Sequence, residues 1–160
     1  MRMELRSGSG QTIVEFALIA VILFAVIFSI IESAFIMYNK ALITTASREA
    51  ARAGVMHRVN PSDFAYAPLN AAGIRAVAVQ NLQNRLVTFG TPFNPANDVI
   101  VGWSLDGGNT WSANPPAAFG GREQIRVDVN FTYTYLALPR LINLGGGTMS
   151  LGTRTIMRME

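Results

Sequence analysis

The sequence predicts an α+β protein: a long N-terminal transmembrane and stalk helix, then a second helix packed on a small antiparallel β-sheet. Three observations carry this reading. The run from Phe16 to Ile31 holds no charge, and Ser29 is its only polar residue. An Ala-rich, helix-favouring stretch follows as far as Gly54. From Asp98 onward the pattern changes to apolar–polar alternation between Gly- and Pro-rich turns.

The first element is one continuous helix from about Thr12 to about Ala53. At about 1.5 Å per residue, Phe16–Ile31 gives about 24 Å of helix and Phe16–Tyr38 about 35 Å. A bilayer hydrocarbon core is about 30 Å thick, so the extended tract suffices to cross it. Val, Ile and Phe would weaken such a helix in water. In lipid the helix is nearly forced, because each backbone polar group must find its partner within the segment. The second half would then project into water as a stalk, with Gly54 as its stop.

Residues 55–68, with Pro61 and Pro68, read as a connector. Residues 69–87 place Ile74, Val77 or Ala78, Leu82 and Leu86 at helical spacing, a second amphipathic helix weakened by Gly73. Residues 89–97 are a loop. VIVGWS, DGGN and TWS then form a hairpin with Trp103 and Trp111 on its arms. In QIRVDVNFTYTY, Ile125, Val127, Val129, Phe131, Tyr133 and Tyr135 share one face of a long half-buried strand. TMSLGTRTIMRME is a last strand, antiparallel to it. The expected division is a leader at 1–10, a membrane and stalk helix at 11–56, and an α+β domain at 57–160.

Composition excludes several functions. With no cysteine there is no disulfide, thiolate metal site or cysteine nucleophile. His57 is the sole histidine and lacks the company a metal site needs. Asp63, Asp98, Asp106, Glu123 and Asp128 stand isolated in sequence, so no catalytic residues, metal or cofactor are expected. The pI of 9.8 reflects a net charge of only +3 with scattered basic residues, so no nucleic-acid partner is expected either. Gly145–Gly147 lacks the following Lys-Ser/Thr and helix of a phosphate loop and reads as a turn. Ser104-x-Asp106-x-Gly108-x-x-Trp111 matches the Asp-box pattern of propeller proteins. One copy in a chain this short reads as a turn-stabilising Asp with a packed Trp, or else as a sugar-binding surface through Trp103 and Trp111.

The residues around Glu15 point elsewhere. Gly10, Gln11, Val14, Glu15 and Phe16, followed by the oily tract, resemble the leader of TadE-like proteins, the minor pilin-like proteins of tight-adherence (Flp) pilus systems. The run IIES, the stretch Thr44–Gly54 and the C-terminal IRVDVNFTYTYLALP, LGGGTMSL and TIMR resemble that family too. The resemblance implies cleavage by a prepilin peptidase between Gly10 and Gln11. It also implies that Glu15 meets the N-terminal amine of a neighbouring subunit, with Phe16 part of the same recognition motif. The physics suits this role. Glu15 lies four residues from the new terminus, on the same helix face and near the positive end of the helix dipole. An intramembrane carboxylate is costly and usually functional. The alternative is that Glu15 only marks the lipid–water interface. Glu32 is either a second interfacial charge or an intramembrane contact with a basic residue of a partner helix.

By resemblance, the partners are the peptidase, other pilins and pseudopilins, and the inner-membrane assembly platform. The chain would cross the inner membrane once with its C-terminal domain exported, ending in the fibre or staying in the membrane. Charge counting alone points the other way, because Lys40, Arg48, Arg52 and Arg58 follow the span. The rival reading is a signal-anchored exported binding domain, outside any pilus.

Overall fold

The computed structural model describes residues 8–56, 58–59, 66–67, 70–116, 123–136 and 147–159. His57, Asp63, Gly145 and Gly146, and most of the expected leader and connector, lie outside these residues.

Helix α1 runs from Gly8 to Val55. Its first half makes no core: none of residues 10–31 is buried. The Ser29 and Ser33 hydroxyls donate to carbonyls four residues back, at 2.7 and 2.8 Å, so the helix satisfies them itself. This is the one helix, among the described residues, long and apolar enough to cross a membrane. The second half is not a free stalk. Ile43, Ala46, Ala50 and Ala51 are fully buried, in one core with the rest of the domain.

Strands β1 (Arg58–Val59) and β2 (Tyr66–Ala67) form a two-residue antiparallel ladder inside the expected connector. Helix α2 spans Ala71–Leu82, capped by Asn70, whose side chain accepts from the Gly73 N–H at 2.8 Å. It stops short of the expected residue 87 because the Gln83 N–H closes onto the Val79 carbonyl and Asn84 turns left-handed at φ 62°. Ile74, Ala78 and Leu82 form its buried face. A four-residue helix, α3 (Pro95–Asp98), leads into the main sheet.

That sheet has three antiparallel strands in chain order: β3 (Val99–Ser104), β4 (Gln124–Thr134) and β5 (Thr148–Arg158). Pairing runs from Val99↔Val129 to Ser104↔Gln124, and from Gln124↔Arg158 to Thr134↔Thr148. The alternation in β4 buries Ile125, Val127, Val129, Phe131 and Tyr133. Two helices cover this sheet, α1 over β4 and β5, and α2 over β3. The result is a two-layer α+β unit in which the long helix supplies half of one layer. The predicted hairpin is reduced to one bridge, Trp103↔Ser112, since the long partner of β3 is β4.

The helix ends at Val55, one residue past Gly54. Gly54 permits close packing: a Cβ there would lie 2.4 Å from Ile125 Cδ1 and 3.0 Å from Ile74 Cδ1. Gly54→Ala gains about 1 kcal/mol of helix propensity. It also overpacks a core junction, at a cost of about 1–3 kcal/mol. We expect a net loss of stability, read as a lower thermal midpoint of the detergent-solubilised chain.

Candidate functional site

The N-terminal motif sits on the unpacked end of α1. Gln11 Nε2 donates to Glu15 Oε1 at 3.1 Å, so the two residues share a helix face. Phe16, beside them, is exposed. Glu15 is the only charged residue from Gln11 to Ile31. Because α1 begins at Gly8, Glu15 lies two turns in rather than in the first turn; a cut after Gly10 would leave it fifth in the chain. A Cβ at Gly10 would meet nothing within 4 Å. Packing inside this chain therefore does not demand a glycine there, in contrast to Gly54.

Glu32 is enclosed by its own chain. It is 3% exposed, and its Oε1 accepts a hydrogen bond from the backbone N–H of Leu136, just past β4. It is an internal tie between helix and domain. Burial, then the nearby Glu32 carboxylate, push the Tyr133 phenol above its ordinary pKa and keep it neutral.

Further ties lie along the same helix face. Asn39, fully buried, brackets Val87: its Nδ2 donates to the carbonyl at 2.8 Å and its Oδ1 accepts from the N–H at 3.0 Å. Lys40 Nζ donates to the Gly152 carbonyl. Ser47 Oγ, buried, hydrogen-bonds the Val127 carbonyl and the Thr155 hydroxyl, both at 2.8 Å. Sequence reasoning missed this docking face. Its signal is a seven-residue spacing: Glu32, Asn39, Ala46, Ala53, with Ile36, Ile43, Ala50 beside them.

The two tryptophans do not form a common platform. Trp103 is 2% exposed and packs in the core on the inner face of β3, so it offers no ring to a sugar. Trp111 lies against the outer face: a Cβ on Gly102 would come within 3.5 Å of it, and Arg126 Cζ stands 4.6 Å from its ring centroid. β3 separates the two rings, and of the pair only Trp111 is partly open to solvent.

The Asp-box turn is structural. Asp106 Oδ1 accepts from Ser104 Oγ at 2.6 Å and from the N–H groups of Asn109 and Thr110 at 3.0 and 2.9 Å. The Ser104 hydroxyl above all, then the Thr110 N–H, hold this carboxyl well below the usual carboxylate range. Gly107 and Gly108 take positive φ of 77° and 101°, and Trp111 Nε1 donates to the Gly108 carbonyl at 3.0 Å. On the outer face of the sheet, Asp128 binds Arg154 through two bonds of 2.8 and 3.2 Å and lies 3.3 Å from Arg126 Nε. Among the described residues, no three His, Cys, Asp or Glu side chains gather as a metal-ligand set.

No curated protein and no solved structure matches the chain. A family model described as TadE-like protein matches residues 10–52. The matched stretch begins at the glycine of the leader motif, carries Gln11 and Glu15, and ends within the docked, Ala-rich half of the helix. Over Gly10–Arg52 of the long helix α1, the chain is thus similar to the TadE-like family.

Proposed function

We propose that this chain is a minor pilin-like subunit of a tight-adherence pilus system. A prepilin peptidase processes it, and it acts in pilus assembly or adhesion with other pilin-like subunits and the inner-membrane platform. The observation that carries this is the exposed first half of α1. About twenty apolar residues without cover inside the chain need lipid or other helices around them. At their head stands a lone carboxylate, in register with the residue a cut after Gly10 would make N-terminal. A helix of this kind serves first as a single-pass anchor in the inner membrane, with the C-terminal domain exported, and then as a packing element among similar helices.

N-terminal sequencing of the protein from membrane and pilus fractions tests the proposal. The expected mature chain begins at Gln11. A functional pool that begins at Met1 would overturn the pilin reading and leave a plain signal anchor.

A further inference from the structure

Three independent ties set the base of the C-terminal domain against one level of α1. Glu32 holds the N–H of Leu136 at the end of β4. Asn39 brackets Val87 in the segment after α2, and Phe35 packs on Phe89 of that segment with ring centroids 5.7 Å apart. The start of β5 joins them through the Tyr135 hydroxyl, 3.5 Å from Met149 Sδ, and through the Lys40–Gly152 bond. Three chain segments therefore end beside residues 32–40 of the helix.

Each of these segments turns one large apolar side chain outward at that level, among the smaller exposed Thr91, Thr148 and Ser150 and beside Lys40. Phe89, Leu136 and Met149 are 40%, 42% and 41% exposed, and on α1 itself Met37 and Tyr38 are exposed. A hydrocarbon core of about 30 Å takes about 20 residues of helix. Counted from Phe16, the first residue past Glu15, these end near Phe35. The headgroup layer beyond adds about 5–7 Å, some four residues more. The apolar ring straddles this boundary, with Leu136 level with Glu32 and Phe89 with Phe35.

We infer that the C-terminal domain is seated directly on the bilayer, with Phe89, Leu136 and Met149 entering the interfacial layer of the lipid beside Met37 and Tyr38. The inference rests on the membrane-anchored reading of α1. It assigns the ring a partner, the lipid surface, through continuity with the span. The seat accounts for the position of Glu32: at the membrane-facing end its carboxylate is enclosed by the chain rather than turned to lipid. It also orients the molecule. From Thr134 to Gln124, β4 rises about 33 Å. Gln124 pairs with Ser104, so Leu105 and the Asp106 turn form the membrane-distal tip.

The chain has no native cysteine, so single-cysteine variants can carry a polarity-sensitive fluorophore. The full chain is reconstituted in vesicles of equimolar phosphatidylcholine and phosphatidylglycerol that carry nitroxide lipids. With the nitroxide at headgroup level, labels at Leu136→Cys and Met149→Cys are expected to lose most of their emission, and a label at Leu105→Cys to keep nearly all of it. With the nitroxide on the acyl chain, a label at Ile22→Cys is expected to be quenched. If the labels at 136 and 149 stay as bright as that at 105 while 22 is quenched, the seat is overturned and the anchor stands. If 22 also stays bright, the anchored reading fails and the seat fails with it.

Discussion

A fragment that begins at His57 is expected to remain unfolded, whereas one that begins at Ile30 folds into the two-layer unit. The sheet and α2 alone leave the inner faces of β4 and β5 without their helix. Ile43 contributes about 1.5–3 kcal/mol by its burial, and the methyl groups of Ala46, Ala50 and Ala51 about 0.8 kcal/mol each. Without α1, the N–H groups of Leu136 and Val87 and the Val127 carbonyl lose the partners that Glu32, Asn39 and Ser47 supply. Each such loss costs about 1–3 kcal/mol where the group stays buried. Together these losses match the about 5–15 kcal/mol that separates a folded domain from its unfolded chain. Near-ultraviolet circular dichroism and denaturant titration of the two purified fragments make the comparison. A cooperative transition in the shorter fragment would show that residues 57–160 are an independent domain and that α1 only rests on it.

The same contrast shows what the sequence could and could not reveal. The strand alternation in β4 was legible because one face packs on the helices and the other carries the polar side chains, so polarity changes at every residue. Its pairing with β5 followed from two such runs separated by a glycine turn. The apolar half of α1 was legible from length and the absence of charge. The docked half was not, because alanine reads equally well as a helix former and as a small residue that lets another element approach. Only the heptad of Glu32, Asn39, Ala46 and Ala53 separates the two, and it mixes charged, polar and apolar residues. The Glu32–Leu136 tie is hidden for the same reason: the donor is a backbone N–H 104 residues away, which no side-chain pattern announces. Trp103 and Trp111 looked equivalent in the Asp-box motif. Which face of β3 each occupies is decided by the return of the chain after the turn, and the two Trp residues fall on opposite sides.

Replacing Glu15 with Gln is expected to leave membrane insertion intact and to abolish assembly after processing. The change keeps size and hydrogen bonding, including the bond to Gln11, but removes the charge. Taking a charge out of an apolar span makes insertion more favourable. At a contact distance of about 4 Å and an effective dielectric of about 20, an ammonium–carboxylate pair is worth about 4 kcal/mol. Its loss weakens each subunit addition close to a thousandfold, because every 1.4 kcal/mol is about tenfold. The measurement is paired: mature protein in the membrane fraction, identified by its Gln11 terminus, and pili or adhesion in the same cells. Normal amounts of mature Glu15→Gln protein with lost assembly support the role of the carboxylate in subunit pairing. Normal assembly would reduce Glu15 to an interfacial charge. An uncleaved Glu15→Gln chain would instead place the carboxylate among the features the peptidase reads, and would move its role from fibre growth to the step before it.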